Sequence, residues 1–158
     1  MDDPAKELDF QGVYLLTAAG KLHLMTREMS RSNGIGLSPD ERTLYVENSD
    51  PERALWMAFD VADDGTLSKG RVFQDLTEAF QQGKKGLPDG MAIDADGRIY
   101  ATGPGGLLIF TPDGTHIATL DTQHETGNCT FGGDGTQLYI TAHKYLLRIP
   151  LKIKGLGF

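Results

Sequence analysis

The chain has one cysteine, Cys129, among 158 residues. That excludes an intrachain disulfide, and no cysteine–histidine spacing of the zinc-site kind exists. Cys129 stands beside Phe131 in a strand-like run, where a small buried hydrophobe is expected. There is no excess of positive charge: 15 Lys and Arg against 22 Asp and Glu leave −7. With no basic stripe to neutralise phosphates, nucleic acid is not an expected partner. No apolar run approaches membrane-spanning length, so no membrane partner is expected. The start, Met1-Asp-Asp-Pro4, is acidic and has none of the character of an export signal. The expectation is a cytoplasmic chain as written, although a longer parent could carry a signal upstream and be periplasmic.

What the sequence does have is turns. Twenty glycines and seven prolines, with 39% hydrophobic residues, fit many short half-buried strands better than helices. A segment with one internal grammar occurs three times: Asn33 to Val46, Asp89 to Ala101 and Asn128 to Ile140. Each copy opens on Asn or Asp and runs through a short apolar strand. It then turns at an Asp- or Gly-rich tip and resumes at an apolar residue followed by Tyr. Short strands repeating at this length predict an all-β radial array of the β-propeller type.

The strand tally is about thirteen. A leading pair (Gly12 to Thr17 and Lys21 to Thr26, turning at Ala19-Gly20) precedes two four-strand blades and a three-strand blade. Leu55 to Val61 alternates, with Trp56, Ala58 and Asp60 on one face and Leu55, Met57, Phe59 and Val61 on the other. Only Asp75 to Gly86 breaks the pattern, and it reads as a loop with about one helical turn. Closed propellers need at least about four blades, so the 1–158 single domain supplies roughly half of one. Either it is a fragment or two copies close a ring, a homodimer in which the leading hairpin of one chain completes the last blade of the other.

If the repeats are equivalent blades, Asn33, Asp89 and Asn128 surround one axis, and their oxygens suit a hard metal ion. Each has an ordinary alternative role. Pro88-Asp89-Gly90 is a common turn sequence, and Asn33 can bond its own backbone at a strand entry. Turn chemistry does not by itself explain three such side chains at one blade position. Asp40, Asp96, Asp113 and Asp134 fall at hairpin tips and read as turn formers. His23, His116 and His143 lack metal-site spacing, and His124 reads as solvent-facing or as pocket rim. Gly103-Pro-Gly-Gly106 lacks the lysine of a nucleotide loop and reads as a tight connection.

The runs Leu8-Asp-Phe-Gln-Gly-Val-Tyr14, Asn33-Gly-Ile-Gly-Leu-Ser-Pro-Asp40, Pro88-Asp-Gly-Met-Ala-Ile-Asp94, Ala101-Thr-Gly-Pro-Gly-Gly106, Asn128-Cys-Thr-Phe-Gly-Gly133 and Lys154-Gly-Leu-Gly-Phe158 resemble the C-terminal half of a bacterial gluconolactonase. The wider family is that of senescence marker protein (regucalcin), gluconolactonase and luciferin-regenerating enzyme. The resemblance implies a six-bladed propeller with a divalent metal, calcium first and zinc second, at the top of the channel. It implies metal ligation by Asn33 and Asp89, with Asp89 also as general base in the hydrolysis of a sugar lactone, a small-molecule substrate. Asn128 is the candidate substrate-binding residue. A further Glu and other substrate contacts belong to the family's N-terminal half, which is absent here, so the site is expected to be incomplete or to need self-association. The second expectation is a non-catalytic half-propeller, acting as a binding or self-assembling module.

Overall fold

The computed structural model describes residues 4–158. Its described strands form four antiparallel sheets in chain order. The first is a hairpin of β1 (Val13–Leu16) and β2 (Leu22–Thr26), turning at Gly20 with φ of +75°, where glycine avoids the Cβ penalty. The second is a four-strand blade of β3 (Ser32–Leu37), β4 (Thr43–Asp50), β5 (Arg53–Asp60) and β6 (Arg71–Asp75). A single short helix, α1 (Thr77–Gln81), follows. The third sheet is β7 (Met91–Ile93), β8 (Ile99–Gly103), β9 (Gly106–Phe110) and β10 (His116–Leu120). The fourth has only three strands, β11 (Thr126–Gly132), β12 (Gln137–Ala142) and β13 (Tyr145–Pro150).

Within each complete blade every strand pairs with its chain neighbour, in the orders β3-β4-β5-β6 and β7-β8-β9-β10. The first strands β3, β7 and β11 also lie against one another in that order. Radial placement follows: the first strand of each blade is innermost and the blades stand side by side. The seams are hydrophobic, and both faces of β5 are used. Trp56 and Ala58 pack against Ile93, Ile99, Ala101, Leu108 and Phe110 of the next blade. Leu55, Met57 and Phe59 pack with Val13, Met29, Leu44 and Val46 on the opposite side. The second seam joins Tyr100 and Leu107 to Cys129, Phe131, Leu138 and Ile140. Each seam carries an edge-to-face aromatic pair, Trp56–Phe110 at 5.2 Å and Tyr100–Phe131 at 5.3 Å, a geometry favoured by the ring quadrupoles.

The hairpin tips behave as turn chemistry requires. Asp40, Asp64, Asp113 and Asp134 each accept the backbone N–H two residues on. Asp94 differs. It is buried, accepts the N–H groups of Asp96 and Arg98, and binds the guanidinium of Arg98 at 3.0 Å. The chain after β13 returns inward: Gly155 bridges Asp94, and Leu156 donates to the carbonyl of Ile93. The last residues therefore sit beneath the inner strands β7 and β11.

The two outer sides remain open. On the hairpin side Leu16, Leu22, Ile35 and Leu24 are 67%, 64%, 52% and 45% exposed, too much apolar surface to be a finished exterior. On the other side the fourth sheet lacks an outer strand beyond β13.

Candidate functional site

Asn33 begins the innermost strand of the first complete blade, and Asp89 sits just before that of the next. The pairing of β3 with β4 slips between Ser32 and Ile35, a bulge that turns Asn33 out of the ladder. Its Nδ2 donates to Oδ1 of Asp89 at 2.8 Å and to Oγ of Ser49 at 3.0 Å. Ser49 in turn donates to the carbonyl oxygen of Pro88. This chain of bonds ties the Pro88-Asp89 segment to the neighbouring blade. It uses both amide hydrogens of Asn33 and leaves its Oδ1 without a protein partner. Oδ2 of Asp89 is likewise unbonded, and it lies 3.4 Å from where a Cβ on Gly127 would stand. A Cβ at Gly127 would stand in van der Waals contact with the carboxylate. Asp89 is half-buried; its carboxyl is pushed up by burial and partly pulled back by the Asn33 hydrogen bond.

These residues form the floor of an open cleft of about 580 Å³. One wall is Phe80, Gly86 and Leu87 from the α1 segment. The other is Glu125, Thr126, Thr141 and His143 at the top of the third blade. His143 has φ of +52°, an uncommon conformation for a residue with a Cβ and one that concentrates at functional sites. His124 leans on the rings of His143 and Tyr145, at 6.1 and 5.0 Å, and lines a neighbouring pocket with Lys84, Lys85 and Gln123.

Asn128 does not take the third corresponding position. It pairs with Thr141 in the register where Gly90 meets Thr102. The residue equivalent to Asp89 is therefore Gly127, one step earlier. The cause is the hairpin tip: the paired Phe131 and Leu138 enclose six residues where Ile93 and Ile99 enclose five, a difference invisible in a comparison of repeat openings. The amide of Asn128 covers Gly90, where a Cβ would come within 2.4 Å of it. Its Oδ1 accepts the N–H of Cys129 at 2.8 Å. It lines an adjoining cleft with Met91, Thr130, Tyr139 and Leu146.

Beside Gly34, where the Asp89 carbonyl oxygen also approaches, is a residue that sequence reasoning missed. Glu47, on β4, is fully buried, and neither carboxylate oxygen has a hydrogen-bond partner. Burial pushes its carboxyl well above the ordinary range, and the nearby charge of Asp89 adds to that.

Among the described residues no group of three or more His, Cys, Asp or Glu is placed to hold a metal. The Asn33–Asp89 pair fits a hard cation as part of a shell. It offers two free oxygens on residues locked together across a seam, against the roughly six to eight that calcium takes. With no His or Cys in the pair, calcium suits it better than zinc.

Inner strands ranged about an axis and seams of blade on blade define a partial β-propeller, with the Asn33–Asp89 pair at the inner ends of two of its blades. The family profile SMP-30/Gluconolactonase/LRE-like region matches residues 1–144, and the chain belongs to that family. It is 37% identical over 153 residues to a gluconolactonase of Zymomonas mobilis, covering 95% of this chain and 43% of that protein. It is 35% identical over 117 residues to regucalcin of Xenopus laevis, covering 70% of this chain and 37% of that one. Its fold is similar to the structure of a gluconolactonase of Xanthomonas campestris, with a TM-score of 0.80 and 32% identity, over 92% of this chain and 46% of the other. It is also similar to a calcium-binding regucalcin of Agrobacterium tumefaciens, with a TM-score of 0.72 and 28% identity, over 93% and 54%. The chain thus spans about half the length of these relatives, as a roughly half-length propeller. No helix among the described residues is long and apolar enough to cross a membrane.

Proposed function

We propose that this chain carries the metal-binding and proton-transfer half of a sugar-lactone hydrolase, with Asn33 and Asp89 as ligands of a divalent cation, calcium before zinc. The observation that carries it is the 2.8 Å contact between Asn33 and Asp89. It supports a shared site because nothing in turn chemistry requires residues of two blades to meet. A cation held there would supply Lewis-acid polarisation of the lactone carbonyl.

The chain's own residues account for the remaining chemistry. Oδ1 of Asp89, fixed by Asn33, keeps a second lone pair for the cation, which leaves Oδ2 to take a proton from an attacking water. The water oxygen bonds to the carbonyl carbon, the ring C–O bond breaks, and the ring oxygen recovers the proton from Asp89 as the open hydroxy acid forms. Asn128, which lines the adjoining cleft, is the residue we assign to meet a substrate hydroxyl.

Activity on this reading requires closure of the ring. The apolar hairpin side and the three-strand last blade are the two surfaces to be joined, and a second copy of this chain is the closing partner. The test is turnover of glucono-lactone with added calcium or zinc, run together with mass in solution. A species of twice 17.2 kDa with cation-stimulated turnover that Asp89→Ala abolishes is the expected result. Turnover indifferent to cation and to Asp89 overturns the proposal.

A further inference from the structure

Strand β4 carries an acid where its two counterparts carry threonine. Thr102 accepts the N–H of Gly90 at 3.0 Å, and Thr141 donates to the carbonyl of Asn128 at 3.3 Å. Each threonine thus fastens the innermost strand of its own blade. Glu47 occupies the same place, facing the Asn33–Gly34 bulge between the pairs Ser32–Asn48 and Ile35–Val46. It makes no hydrogen bond, although it is 0% exposed. A threonine would have satisfied the position at lower cost, because a buried carboxylate with no partner carries a heavy desolvation penalty.

Space has been left for it. A Cβ on Gly34 would lie 2.0 Å from Oε2 of Glu47 and 2.7 Å from the carbonyl oxygen of Asp89. Two acceptors therefore converge on one point between β3 and β7. Facing them are Trp56 across the ladder, Asp89 on the next blade and Cys129 beyond it. None of these is cationic, and Asp89 is an acid. The Glu47 oxygens accept no hydrogen bond, although the indole N–H of Trp56 is also buried and unpaired; oxygens left so beside a second carboxylate form a setting that a positive ion completes.

We propose that Glu47 is a further oxygen ligand of the cation held at Asn33 and Asp89, reaching it between the two inner strands. The inference rests on the cation reading above. With it, two carboxylates set a charge of −2 against a divalent ion, and the orphaned oxygens of Glu47 gain their partner.

The test follows thermal unfolding through Trp56, the one tryptophan of the chain and the direct cross-strand neighbour of Glu47. Melts are taken in chelator and across a calcium titration, for the full chain and for Glu47→Gln, Glu47→Thr and Asp89→Ala. Gln keeps the shape of the acid, and Thr is the residue the other blades use, so at least one variant is expected to fold. Both Glu47 variants should melt higher than the parent in chelator, having lost an unpaired buried acid. Both should need roughly 10–100-fold more calcium for the same stabilisation. If they keep the parent's calcium response while Asp89→Ala loses it, Glu47 is no ligand and the Asn33–Asp89 site stands. If the parent itself shows no response to calcium, both proposals fall.

Discussion

The side-chain amide of Asn33 donates to the carboxylate of Asp89 at 2.8 Å, joining residues 56 positions apart. Each sits at the inner end of its own blade, so the bond spans the seam where the blades meet at the axis. Ser49 completes the arrangement by accepting from the same amide and holding the Pro88 carbonyl. A carboxylate gripped on one oxygen and free on the other is oriented for ligation or proton transfer.

Removing the grip should change the acid. Burial raises the Asp89 carboxyl and the Asn33 hydrogen bond lowers it, so Asn33→Ala leaves the raising influence unopposed. The Asp89 carboxyl should then titrate at higher pH than in the parent, as read by side-chain carbon NMR. An unchanged or lowered titration would show that Asn33 does not act on Asp89 in solution.

Gly34→Ala should destabilise the fold by about 1–3 kcal/mol, because the new methyl meets Oε2 of Glu47 and the Asp89 carbonyl. Combining it with Glu47→Thr removes the closer of the two clashes. The double variant should therefore lose less stability than the two single changes summed, a coupling that denaturant unfolding of all four proteins measures.

The hairpin-tip aspartates set the acid limb of stability. Asp40, Asp64, Asp113 and Asp134 are each held below the usual carboxylate value, first by a Ser or Thr hydroxyl and then by a backbone N–H. A carboxyl lowered in the folded state stabilises above its unfolded value of 3.8 and loses that contribution as pH falls through the folded value. Melting temperature should decline on acidification below about pH 4. Asp113→Asn should decline less steeply than the parent over that interval, with a small difference because the group is exposed.

Cys129 should be chemically silent in the folded chain. Its thiol is pushed up to about 12, chiefly by burial and then by the charge of Glu47, and it donates to the Tyr100 carbonyl at 3.2 Å. Since the thiolate is the reactive form, a disulfide reagent at neutral pH should label it only at the rate of unfolding. Rapid labelling of native protein would mean that the second seam opens readily.

Much of this fold could be read from residue order. The tips at Gly20, Asp40 and Asp113 announced their hairpins, because a tight turn needs those residue types whatever surrounds it. The alternation from Leu55 to Val61 placed Trp56 and Met57 on opposite faces, and both faces proved buried, Trp56 against the next blade and Met57 toward the leading hairpin. The family resemblance pointed to Asn33 and Asp89 together, and the structure brings them into contact. Asn128 looked equivalent because its repeat also opens on Asn. The tip between Phe131 and Leu138 is one residue longer than that between Ile93 and Ile99, which moves Asn128 one place along its strand, and register depends on pairing partners that no single segment reveals. Nothing in residue order singled out Glu47. Its burial comes from a neighbouring blade and from the missing Cβ at Gly34, neither of which is a local property. The return of the last residues onto Ile93 and Asp94 was equally hidden, since one bridge and single backbone bonds hold it there.

Calcium titrated into the purified chain by calorimetry, beside Asp89→Ala, tests the hub most directly. One cation bound per Asn33–Asp89 pair in the parent, with no measurable heat of binding in the variant, is the expected result. Equal binding by both proteins would place any cation elsewhere and contradict the site.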